Sequence, residues 1–126
     1  MAKMMFPRLI STKQAKKVSQ AGGVIGVWTH LSDSPLSYGQ NIMAMVKVVG
    51  IEHVCIGTDT KMAKDIAANK ATIKIGETTN LAWPNQTQGF YYDVVKALLE
   101  IGFKENEIIK IGGGNFYRVF DQATRK

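Results

Sequence analysis

The eight residues from His53 to Thr60, H-V-C-I-G-T-D-T, constrain the fold more than any other stretch. Val54, Cys55 and Ile56 form a short apolar run that stops at Gly57-Thr58-Asp59, the pattern of a buried strand that ends by delivering a carboxylate. A second run, Val24 to Trp28 (V-I-G-V-W), is almost continuously apolar, as in a strand covered on both faces. Each run follows a helical segment. Ser11 stands three residues before Gln14 at capping-box spacing, Ala15, Val18 and Ala21 recur on one face, and Gly22-Gly23 can supply a left-handed stop. After a loop from Thr29 to Ser37, the segment from Tyr38 to Val49 carries Ile42, Met45, Val46 and Val49 at helical spacing, and Gly50 ends it. The order helix, strand, helix, strand with short connections predicts an α/β fold with two parallel strands and flanking helices.

The rest of the chain is less regular. Lys61 to Gln88 shows no clear period: Met62 to Ala71 has the makings of a helix, whereas Thr72 to Pro84 mixes β-branched residues with turn formers. A stretch of that kind reads as an excursion over the top of a scaffold, where functional loops occur. Gly89 to Ile101 predicts a helix with Val94, Val95, Leu98 and Leu99 inward, stopped at Gly102. Glu105 to Ile111 predicts a short helix broken by Gly112-Gly113-Gly114, and Asn115 opens a last helix with Phe116, Val119 and Phe120 as its apolar face. The G-G-G-N run lies between helices and not after a strand, so it does not read as a dinucleotide-binding loop.

A length of 126 residues and a hydrophobic content of 45% suit one modest domain and not two. The net charge of +6 admits nucleic acid, an anionic membrane surface or an acidic partner. No aromatic-basic RNA motif or zinc-finger spacing accompanies the charge. A solvated helix face (Lys13, Lys16, Lys17) and a charged tail (Arg125, Lys126) account for the crowding, and the expectation is no nucleic-acid partner. The one cysteine, Cys55, excludes an intrachain disulfide and a cysteine-based metal cluster; inside an apolar strand it reads as a small buried hydrophobe. No apolar stretch has the length of a signal peptide or a membrane span, so the chain as written reads as cytoplasmic.

In parallel α/β folds the C-terminal ends of the strands face the active site. That rule picks out Asp59, at the end of one strand, and His30, in the loop after the other. His53, at the mouth of its strand, reads as structural. The two histidines stand in neither an H-x-H nor an H-E-x-x-H setting, so no zinc site is legible. Ser32, Ser34 and Ser37 lack the glycines of a nucleophile elbow. By composition alone a strand-end aspartate is as often a turn former as a catalytic group, and Arg8, before a helix, is more often a surface charge.

Five motifs in order carry a resemblance: P-R-L-I-S before a helix, A-G-G-V-I-G-V-W, G-I-E-H-V-C-I-G-T-D, G-F-Y-Y-D-V-V-K-A-L-L and I-I-K-I-G-G-G-N-F-Y-R-V-F. From about Phe6 to Phe120 the chain resembles the C-terminal part of the membrane (renal) dipeptidase family, zinc-dependent dipeptidases of the amidohydrolase-like TIM-barrel type. The resemblance implies the C-terminal portion of a (β/α)8 barrel, not closed by itself, with residues 1–126 as a single partial domain. It further implies two zinc ions in the full-length enzyme and a bridging hydroxide that attacks a dipeptide carbonyl. The family's arginine for the substrate's terminal carboxylate falls on Arg8, whose planar fork matches a carboxylate. The aspartate at the end of the last barrel strand falls on Asp59, which would handle the proton passing to the leaving amine. The aromatic residues that family members use in the loop after the Val24 strand have no clear match here, although His30 and Tyr38 are nearby; of these His30 is the candidate substrate contact.

The family's zinc ligands, an H-x-D pair, a bridging glutamate and two further histidines, would lie upstream of Met1, so this chain alone is expected to bind no metal and to be inactive. The family's G-S-D-F-D-G reads G-T-D-T-K-M here, with Lys61 in place of the second aspartate. The expected partners are a dipeptide in the complete enzyme and either a missing N-terminal barrel half or a second copy of the chain. The competing expectation is a small basic, non-catalytic domain that binds a protein or nucleic acid.

Overall fold

The computed structural model describes residues 10–29, 32–58, 83 and 88–125. Two short apolar strands separated by an amphipathic helix pair most simply in parallel, because the helix must carry the chain back to the start of the second strand. The strands β1 (Ile25–Trp28) and β2 (Val54–Gly57) do so, with Ile25 opposite Val54 and Trp28 opposite Gly57. The crossover is α2 (Pro35–Val49), followed by a tight turn of 3-10 helix at Ile51–His53. Ahead of β1 lies α1 (Thr12–Gln20), and after β2 come α3 (Phe90–Ile101), α4 (Glu105–Ile109) and α5 (Asn115–Thr124). The result is a helix-dominated α/β chain. Its parallel sheet has two strands among the described residues and is not closed.

Local chemistry explains most of the boundaries. At α1 the Ser11 hydroxyl accepts the Gln14 N–H at 3.2 Å while the Gln14 side chain accepts the Ser11 N–H at 2.8 Å, the reciprocal cap expected from the spacing. α2 begins at Pro35, three residues before the expected Tyr38. Ser34 caps it by accepting the Ser37 N–H at 3.1 Å, and Pro35 occupies the first turn, where its missing N–H has no intrahelical partner to lose. Serine and proline together read as a loop, and the same pair also starts a helix. α3 stops at Gly102, whose φ of 110° is a left-handed conformation that favours glycine. The glycine run breaks the helix as expected: within Lys110–Gly114 the backbone leaves the helical range at Gly113 (φ 173°, ψ -27°), and the chain kinks there before α5 begins at Asn115.

The core lies between the sheet and α2, α3 and the turn after α4. Val27 and Val54 meet Tyr38, Ile42 and Met45 of α2, with Val94, Leu98, Ile108 and Ile111 completing the cluster. Strand alternation sends Ile25, Val27, Val54 and Ile56 toward this core. The opposite face carries Gly26, Trp28, Cys55 and Gly57, and there Trp28 is 37% exposed. Cys55 on that same face is buried, so among the described residues the burial of the second face is uneven, deep at Cys55 and partial at Trp28. α3 approaches α2 closely at Gly39, where a Cβ would come within 2.6 Å of the Ile101 side chain. Val94, Ala97 and Leu98 face that contact, whereas Val95 and Leu99, expected inward, are exposed. The apolar arc of α3 is wider than the surface α2 offers it. Phe116 and Phe120 of α5 stack on each other with centroids 6.3 Å apart and also stand exposed, so the face their spacing predicts exists without being buried. The expected helix from Met62 to Ala71 lies outside the described residues.

Candidate functional site

Because β1 and β2 run in parallel and in register, both strands leave the sheet at one end, Trp28 beside Gly57. Thr29 and Thr58 follow them. The chain then continues in sequence to His30 and to Asp59. Arg8, His30 and Asp59, the three site residues expected from the sequence, all lie outside the described residues. What the structure does describe is the scaffold around the two strand exits.

That scaffold is aromatic on one side and hydrogen-bonded on the other. Tyr38, fully buried in the first half of α2, donates its hydroxyl to the Val27 carbonyl at 2.7 Å and accepts the Gly57 N–H at 3.4 Å. Burial pushes its phenol well above the ordinary tyrosine range, so the hydroxyl keeps its proton and can both donate and accept. Trp83 lies 5.7 Å from the Tyr38 ring and stacks on Phe90 at 5.4 Å, and Phe90 in turn meets Tyr91 edge-on. The Trp83 indole N–H donates to the Ser32 carbonyl at 2.8 Å, while Asn41 reaches the Ser32 hydroxyl at 3.0 Å. The Ser32 N–H closes a turn on the Thr29 carbonyl at 3.0 Å. Thr29 and Ser32 are buried as a result. The start of the β1–α2 connection is therefore pinned by the turn, the indole and the amide, and α3 enters beside it through Phe90.

The opposite end of β2 holds the polar cluster of the described chain. Asn115, 1% exposed, donates its amide to the Ile51 carbonyl at 2.6 Å and the Val54 carbonyl at 2.9 Å. Arg118 reaches the Asn115 side-chain oxygen and the Glu52 carboxylate, each at 3.3 Å, and the Glu52 carbonyl at 2.7 Å; Lys110 pairs with the other Glu52 oxygen. These bonds dock α5 and the turn before it onto the start of β2. Asn115 and Arg118 satisfy backbone carbonyls of Ile51, Glu52 and Val54, which gives the cluster a structural task. His53 has a structural partner too, its Nδ1 lying 2.8 Å from the Gly23 carbonyl. Cys55 is buried and burial pushes its thiol up, which suits the small hydrophobe expected and not a nucleophile.

The hydrogen bond from Lys110, then the Lys110 and Arg118 charges, hold the Glu52 carboxyl below its ordinary range. A depressed carboxylate contributes stability that is present above its unfolded value of about 4.3 and is lost as pH falls through its folded value. Glu52→Gln is therefore expected to flatten the loss of stability on acidification. The effect should stay below about 1 kcal/mol because the pair is half exposed, and should shrink in 1 M salt. Urea midpoints of both proteins at pH 7 and pH 3 measure it, and equal slopes with pH would rule it out.

Sequence reasoning found the strand ends and missed the residues that hold them. Tyr38 read as the first residue of a helix, Trp83 as part of an irregular loop, and Asn115 as a helix start; their partners are 11, 51 and more than 60 positions away, beyond the reach of local patterns. Among the described residues no group of three or more His, Cys, Asp or Glu stands together as a possible metal site. No helix among them is long and apolar enough to cross a membrane. Comparison with protein-family models, with curated proteins and with solved structures finds no match for this chain.

Proposed function

We propose that the chain is the C-terminal portion of a zinc-dependent dipeptidase built on a (β/α)8 barrel, contributing Asp59 and Arg8 to a site whose metal ligands come from elsewhere. The observation that carries the reading is the parallel register of β1 and β2, which brings both strand exits to one end and sends the chain from there toward His30 and Asp59. That is the end of a parallel sheet at which barrel enzymes do their chemistry. The order of the five motifs supports the same reading. So do the two-stranded sheet found among the described residues and the exposed Val95, Leu99, Phe116 and Phe120, since a barrel sector offers edges and apolar faces to its neighbours.

In this reading each residue has one task. Arg8 holds the terminal carboxylate of the dipeptide through a two-pronged hydrogen bond. Asp59 carries the proton to the leaving amine, a role for which it must shuttle between charged and neutral forms during each turnover. His30 contacts the substrate from the loop after β1. Zinc binding falls to residues outside those described.

The test is complementation. The chain is expressed with and without the N-terminal half of a related dipeptidase, zinc is added, and a simple dipeptide is assayed. Activity in the mixture alone, lost in Asp59→Asn, is the expected result. A folded, monomeric chain with no activity in either sample, and with salt-sensitive binding to a polyanion, would replace this reading with that of a basic binding domain.

A further inference from the structure

The two strands end where the chain runs on toward His30 and Asp59, and one buried side chain touches both ends. The Tyr38 hydroxyl bridges the Val27 carbonyl in β1, at 2.7 Å, and the N–H of Gly57, the last residue of β2, at 3.4 Å. Its ring is fully buried and lies against Trp83 and Phe90 at 5.7 and 6.2 Å, so the hydroxyl has no freedom to swing to other partners. Packing alone gives no reason for that hydroxyl, because a phenylalanine would fill nearly the same volume and stack on the same two rings. The two backbone partners give one.

We infer that Tyr38 is a positioning residue: its hydroxyl fixes the spacing between the ends of β1 and β2, and with it the points from which the segments carrying His30 and Asp59 depart. The link spans two strands that each end within a residue or two of the bridged atoms, Val27 one residue before Trp28 and Gly57 at the terminus itself. A parallel pair ordinarily frays at such ends, where the ladder stops and water competes for the last backbone groups. A buried phenol that donates to one strand and accepts from the other holds that end closed at both positions. The consequence for catalysis rests on the dipeptidase reading, whereas the clamp itself does not.

The experiment uses the full chain with Tyr38→Phe, and Ile111→Val as a mild core control in the kinked turn before α5, where Ile111 is fully buried. Amide hydrogen exchange is followed residue by residue. After correction for global stability, Gly57 is expected to exchange about tenfold faster in Tyr38→Phe and at the parental rate in Ile111→Val. An unchanged Gly57 rate in Tyr38→Phe overturns the inference. With an N-terminal half and zinc, Tyr38→Phe should lower kcat about tenfold with KM unmoved, through displacement of the proton-transfer group, while Ile111→Val leaves both constants in place. An active mixture in which the two variants share one kcat overturns the positioning role. A mixture inactive with the parental chain sinks the dipeptidase reading, and the exchange rate at Gly57 then decides the clamp by itself.

Discussion

Asn115→Asp is expected to destabilise the chain by about 3 kcal/mol at neutral pH, a fall of roughly 10 °C in Tm. The two side chains have the same shape, so the loss isolates the chemistry of one group. Asn115 is 1% exposed and its Nδ2 donates to two carbonyls, Ile51 at 2.6 Å and Val54 at 2.9 Å. A carboxylate has no hydrogen to donate. It would set a negative oxygen against two carbonyl lone pairs in a buried place, where the low dielectric strengthens the repulsion. Arg118, 3.3 Å from the Asn115 side-chain oxygen, offsets part of this and not all, because it approaches the oxygen and not the nitrogen.

The same substitution should show a pH dependence of definite sign. Burial against two carbonyls disfavours the charged form, so the introduced carboxyl titrates higher in the folded state than in the unfolded one. The penalty is then small below the unfolded value of about 3.9 and grows as pH rises toward the folded value. Thermal unfolding of the parental and variant chains at pH 4 and pH 7 tests both halves of the expectation. A variant as stable as the parent at pH 7 would show that the Asn115 amide does not hold α5 to β2.

If the chain is the dipeptidase portion proposed above, Asp59→Asn in the complemented enzyme is expected to lower kcat by about 10² to 10⁴ with KM changed no more than a few-fold. Asparagine keeps the size and the hydrogen-bonding reach of aspartate but cannot take up and release a proton, so binding survives while transfer to the leaving amine fails. On the proposed dipeptidase reading, which gives Arg8 the substrate carboxylate, an Arg8 substitution should show the reverse emphasis, a raised KM. Rates measured over a range of dipeptide concentrations separate the two. A kcat within threefold of the parent in Asp59→Asn would remove that residue from the proposed chemistry.

How far the fold was legible depends on the range of the interaction that sets each feature. The α1 cap and the stop at Gly102 follow from residues within one turn of each other and stand in the structure as the spacing predicts. The parallel pairing of β1 and β2 was legible because an apolar run, a helix-length crossover and a second apolar run admit few arrangements. The start of α2 was not, since Ser34-Pro35 serves a turn and a helix cap equally well until the backbone direction is known. The inward placement of Val95 and Leu99 failed for a different reason: helical spacing marks which residues are apolar, but only a neighbouring surface buries them. For the candidate site, the sequence singled out Asp59, His30 and Arg8, which lie outside the described residues, and it gave no sign of the clamp at Tyr38, because that hydroxyl answers to two strands and not to its own helix.

By itself, then, the amino-acid sequence determined the order of elements, the parallel sense of the sheet and the residue types that stand beyond each strand. Those features rest on the chain's own period, on capping over three or four positions and on the length a crossover needs. Only the tertiary structure decided which face of each element is buried, which long-range hydrogen bonds close the core, and that Tyr38 and Asn115 secure opposite ends of β2. The physical reason is that a buried polar atom must find a partner wherever the packed backbone happens to offer one, and that place is a property of the packed chain, which no local pattern encodes.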